Sequence, residues 1–98
     1  MTAGRIVVAV EPQRGDGHLR EADVYAAIEG IRSGSRIRLV LADCETFETS
    51  AAGWLARWLT GWDVAVEYQR CGRRFAADWE AACERARSAY VDVELGRV

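Results

Sequence analysis

The chain predicts a single α/β domain with a mainly parallel four-stranded sheet, and three observations carry that expectation. The unbroken apolar run IVVAV at Ile6–Val10 and the stretch Arg36 to Ala42, which accumulates Ile37, Leu39, Val40, Leu41 and Ala42, suit strands of a parallel sheet covered on both faces. Between and after them, apolar residues recur at three- and four-residue spacing, the period of an amphipathic helix. Finally, 98 residues with 50% hydrophobic and 29% charged side chains fit one globular domain with one core, and no linker divides it.

The first strand ends at Pro12, which cannot donate to a ladder. Gly15, Asp16 and Gly17 then supply turn chemistry. From Leu19 to Ile31 the positions Val24, Ala27, Ile28 and Ile31 form one apolar stripe, leaving Arg20, Glu21, Asp23 and Glu29 for water. Gly30, Ser33, Gly34 and Ser35 stop that helix. Arg36 to Ala42 is the central strand, and helices are expected on both sides of it.

A second helix begins near Thr49 or Ser50, either of which can serve as N-cap. It buries Ala51, Leu55, Trp58 and Leu59, carries Trp54 beside that stripe, and terminates at Gly61. Trp62 to Tyr68 makes a third strand, and Arg70 to Arg74 a basic connector. Phe75, Trp79, Ala82, Cys83, Ala86 and Tyr90 form the most regular helical stripe, and the helix they define is expected to end around Ser88. Tyr90 to Leu95 (YVDVEL) alternates apolar and acidic residues as an edge strand does. The resulting order, β-α-β-α-β-α-β, predicts right-handed crossovers and functional residues at the carboxyl ends of strands.

Composition excludes several functions. A net charge of −2 and the absence of lysine remove the footprint of a nucleic-acid binder, a P-loop lysine and a Schiff-base lysine. All thirteen basic residues are arginine, the usage of a GC-rich, bacterial genome. Cys44, Cys71 and Cys83 form no CxxC pair, so neither a disulfide framework nor a zinc site is expected, and a reducing cytoplasm is the expected location. No run approaches the roughly 20 apolar residues of a membrane helix, and Glu11 closes the first run too early for a signal peptide.

Candidate chemistry gathers in two loops. Asp43, Glu45 and Glu48 follow the second strand and could hold a divalent cation or act as an acid/base pair; alternatively they are a solvated acidic loop beside a helix start. Arg70, Arg73 and Arg74 follow the third strand and are candidates for binding an anion or for pairing with those acids. His18, the only histidine, reads as an exposed loop residue rather than a base, and Cys44 and Cys71 lack the histidine that a catalytic thiol needs.

The stretch from Ile37 to Leu59 carries a further pattern: apolar strand, Phe47, a short hydroxyl-rich turn, then a helix of leucines. It resembles the STAS domain of anti-sigma factor antagonists. Ser50 falls where that family has the serine phosphorylated by its partner kinase; Thr49, Ala51 and Ala52 occupy the places of its aspartate, second hydroxyl residue and glycine. Gly17-His18-Leu19 is similar to the family's approach to its first helix, and Arg73-Arg74-Phe75 to its later basic-aromatic helix start.

The resemblance implies a non-enzymatic interaction domain without cofactor or metal. Its partner would be a regulatory protein, a kinase or anti-sigma-like factor, met through Glu48, Thr49, Ser50, Ala51, Ala52 and Trp54. Ser50 would be the phosphorylation position. Two other expectations stand beside it: a small metal-dependent or acid/base enzyme using Asp43, Glu45 and Glu48, and a homo-oligomer joined along Tyr90 to Leu95.

Overall fold

In the computed structural model, which describes residues 4–94, the two apolar runs pair with each other. The elements are β1 (Ile6–Val10), β2 (His18–Leu19), α1 (Glu21–Ile28), β3 (Arg36–Ala42), β4 (Thr46–Phe47), α2 (Thr49–Trp58), β5 (Asp63–Gln69) and α3 (Phe75–Glu94). The main sheet is parallel with order β1-β3-β5, and β2 and β4 form a second, two-stranded parallel pair.

Among the described residues the main sheet has three strands where four were expected. Residues 90–94 continue α3, and Leu95 lies outside the described residues. The physical reason is continuity: no glycine or proline interrupts the chain between Phe75 and Glu94, and adding a residue to an existing helix is far cheaper than starting a new element.

Helices also cover one face only, not both. The strand order follows the chain order, so both crossovers move the same way, and right-handed connections then place α1 and α2 on the same side. Val8, Val10, Ile37, Leu39 and Leu41 point to that side and build the core with Val24, Ile28, Leu55, Phe75 and Trp79. The opposite face presents Val7 (60% exposed), Ala9, Arg36 and Arg38 to solvent. Arg36 pairs there with Asp63, and Arg38 with Glu67.

α2 and α3 meet through small residues. Ala52, Ala56, Ala82 and Cys83 are buried. The Cys83 thiol donates to the Ala52 carbonyl at 3.7 Å. A Cβ on Gly53 would stand 3.8 Å from the Ala86 methyl, so Gly53 lets the helices approach closely. This seam places the amino end of α2 at the carboxyl edge of the sheet.

Candidate functional site

Three connections converge at that edge and interlock through their backbones. After β3, Asp43 adopts a left-handed conformation (φ 58°), and after β5 its neighbour Arg70 does the same (φ 52°). Non-glycine residues pay for that conformation, and here each holds the other: Arg70 Nε and Nη2 donate to the two Asp43 carboxylate oxygens at 2.7 and 3.2 Å. The bidentate pair holds the Asp43 carboxyl below its ordinary range and raises the Arg70 guanidinium.

Beyond this pair the chain is stitched across. Gly72 N–H donates to the Cys44 carbonyl (2.8 Å), and the N–H groups of Glu45 and Thr46 donate to the Gly17 carbonyl (2.7 and 3.1 Å). The β2–β4 pairing sets His18 beside Thr46 and Leu19 beside Phe47; His18 Nδ1 lies 2.7 Å from Thr46 Oγ1. Gly17, at φ 76°, makes the turn into β2, with the Glu45 side chain against it.

The three loop carboxylates part company. Asp43 turns to Arg70, Glu45 lies over Gly17 and Gly72, and Glu48 Oε1 accepts the Glu21 N–H (2.7 Å), tying the first turn of α1 to the start of α2. They do not converge, and among the described residues no group of three His, Cys, Asp or Glu side chains is placed to hold a metal ion. The acid/base expectation meets the same obstacle. Asp16, paired with Arg20, is lowered; the Cys44 thiol is pushed up to about 12, chiefly by burial and then by the adjacent Cys71 thiol.

At the start of α2 the N-cap is Glu48, with extended backbone, rather than Thr49 or Ser50. Thr49 and Ser50 therefore occupy the first turn, exposed, and among the described residues their hydroxyls have no hydrogen-bond partner. Ala51 and Ala52 are both 0% exposed and belong to the core, so they contribute no docking surface. Trp54 is half-buried, its ring 5.7 Å from Tyr25 and 6.1 Å from Trp58 in a ladder that continues to Trp62. Arg73 and Arg74 are exposed beside the Gly72 junction and form no ion pair among the described residues.

Sequence reasoning missed Asp23. Placed on the water side of α1, it is 5% exposed, with its carboxylate accepting the N–H groups of Gln13 (3.2 Å) and Arg20 (2.8 Å). The signal was present as an acidic residue in the third helical position, where a carboxylate reaches back to the cap N–H. The Asp16–Arg20 ion pair, at 2.8 Å, was also overlooked at its i,i+4 spacing. No helix among the described residues is long and apolar enough to cross a membrane. Comparison with protein-family models, characterised proteins and solved structures finds no match to this chain.

Proposed function

We propose that this chain is a non-enzymatic, STAS-like interaction domain that binds a cytoplasmic regulatory protein, a kinase or anti-sigma-like factor, through the first turn of α2 and the adjoining loops. The observation that carries the reading is the free, exposed pair of hydroxyls at Thr49 and Ser50, mounted on an otherwise interlocked edge. Arg73 and Arg74 flank the same edge with unpaired positive charge among the described residues.

The first-turn N–H groups of a helix lack intrahelical acceptors and sit at the positive end of its dipole. A phosphate on Ser50 would be accommodated there without unwinding the helix, while reversing the surface charge a partner meets. Glu48 is engaged with Glu21, which holds one carboxylate of the loop toward α1. The unactivated state of the Ser50 hydroxyl favours modification by a partner over nucleophilic catalysis by this chain.

The test compares affinity capture by the natural chain with capture by Thr49→Arg, Ser50→Arg and the distant surface variant Glu29→Arg, with mass spectrometry of the retained proteins and of the Ser50 peptide. Proteins lost from both first-turn variants but kept by Glu29→Arg, at unchanged melting temperature, are the expected result. Equal recovery from all four chains would sink the reading.

A further inference from the structure

The edge of the sheet at β5 is built differently from the edge at β1. The inward side chains of β1 are Ile6, 47% exposed at the start of the strand, and Val8 and Val10, which are 3% and 0% exposed beneath α1. Those of β5 are not sealed: Val64 and Tyr68 are half-buried and Val66 is 48% exposed. The cause lies in the small-residue seam, which draws α3 toward α2 and away from β5. A cleft of about 550 Å³ remains, walled by Val64, Val66 and Tyr68 on one side and by Trp79, Cys83 and Arg87 on the other.

An edge strand with unpaired backbone groups and uncovered apolar side chains is a template for another strand. The β5 sequence, DVAVEYQ, specifies which one. Placed antiparallel against itself about a two-fold axis at Val66, it sets Val66 opposite Val66 and Val64 opposite Tyr68 on the inner face. The outer face sets Ala65 opposite Glu67 and Asp63 opposite Gln69. Inner residues meet inner residues, an aromatic faces a β-branched side chain, and no like charges stand directly opposite.

α3 matches the same axis. The Tyr68 hydroxyl donates to Glu80 at 3.0 Å, which places Glu80 level with Tyr68. Moving two residues along the strand to Val66 covers about 6.6 Å, equivalent to about four helical residues at 1.5 Å each. The axis thus passes near Glu84, so the two Glu84 carboxylates come level with each other, and Arg87 of one copy comes level with Glu80 of the other, within one helical turn of that Glu84 pair. Arg87 forms no ion pair within its own chain among the described residues, and both side chains line the cleft.

We infer that β5 is a homodimerisation edge: two copies pair antiparallel through Val66 to form one six-stranded sheet, with Arg87 of each answering Glu80 of the other. The self-complementarity of β5 and the crossed charges on α3 select a second copy over an unrelated peptide. The inference is independent of any partner at the start of α2.

Sedimentation equilibrium of the full chain across its soluble concentration range should show a monomer–dimer equilibrium. Val66→Lys should abolish it while leaving the melting temperature unchanged at dilution where the natural chain is monomeric, and Arg87→Glu should weaken it at least about tenfold by setting like charges level. Val66→Cys under mild oxidant should give a covalent dimer whose linked peptides both contain position 66, since cross-strand Cβ atoms in directly opposed pairs lie within disulfide reach. A strict monomer at the highest soluble concentration overturns the inference. So does a dimer that survives Val66→Lys, or a Val66→Cys chain that dimerises without linking at position 66.

Discussion

Replacing Asp23 with alanine should cost more than any other single change of a polar residue on α1. Its carboxylate accepts two backbone N–H groups, from Gln13 at 3.2 Å and Arg20 at 2.8 Å, so the loop that delivers β2 is fastened at both ends to one side chain. A hydrogen bond to a charged acceptor contributes about 1.5–3 kcal/mol, and orphaning a buried donor costs a similar amount. The longer Gln13 bond belongs at the low end of that range and the Arg20 bond near its middle. The better helix propensity of alanine returns about 0.5 kcal/mol, leaving a net loss of about 3 kcal/mol. For a domain of this size that corresponds to a melting temperature lower by about 12–24 °C. Asp23→Asn keeps the volume and one acceptor oxygen and should cost about half as much. Urea titration followed by tryptophan fluorescence reads both values, with m unchanged if only the native state is affected. A loss under about 0.5 kcal/mol for Asp23→Ala would show that water replaces both bonds and that the loop is held by β2–β4 pairing instead.

Two further outcomes follow from the titrating groups. Iodoacetamide at about pH 8 should label half-buried Cys71 first in the native chain, while Cys44 and Cys83, pushed up by burial to about 12 and about 11, wait for denaturant; peptide masses check the order. Asp16, Asp43, Asp63 and Glu67 are each held below their ordinary values by hydrogen-bonded arginines, so their stabilisation is fully present above the unfolded range near about pH 4 and is lost as pH falls through the folded values. The urea midpoint should therefore fall on acidification below that range. The fall should be shallower at high salt because the pairs are exposed, and a rising midpoint would contradict the assignment.

The strands of the main sheet and the core of α3 were legible because each depends on local period alone; on α2 the expected stripe is buried at Ala51 and Leu55 but half-buried at Trp58 and Leu59, with Ala52 and Ala56 buried instead. IVVAV and the run ending at Ala42 are strands by continuity, and Phe75, Trp79, Ala82 and Cys83 are buried as their spacing required. Gly61, the expected terminator of α2, adopts φ 84°. The fourth strand and the Asp16–Arg20 pair failed on local grounds, helix continuity and i,i+4 spacing, but other failures depended on neighbours distant in sequence. A doubly apolar strand was taken to need two covering layers, yet Val40 and Ala42 are 7% and 5% exposed at the centre of the sheet without joining the main core. Ala51 and Ala52 read equally well as room for a partner or as room for a helix, and the helix takes them. Asp43, Glu45 and Glu48 are close in sequence, but the left-handed turn at Asp43 and the reach of Glu48 to Glu21 send them in different directions.

One-sided winding connects these departures to function. An all-parallel sheet usually carries layers on both faces; here the uncovered face is charged, with Arg5 and Arg36 on Asp63 and Arg38 on Glu67, so its backbone lies under paired polar side chains. Exposed apolar surface remains on β1, at Ile6 (47%) and Val7 (60%), and on β5 at Val66 (48%), where it borders the cleft at the free edge of the sheet. A two-fold axis through Val66 reverses strand direction between the copies, and the two α2 starts, each at a carboxyl edge, then face opposite ends of the joined sheet. A regulatory protein docked at Ser50 of one copy would not obstruct its counterpart. The dimer would accept two partners independently, so titrating a partner onto the Val66→Lys monomer and onto the natural dimer should give the same affinity per chain. A difference of more than about tenfold would mean that the first turn of α2 and the β5 edge communicate through the α2–α3 seam.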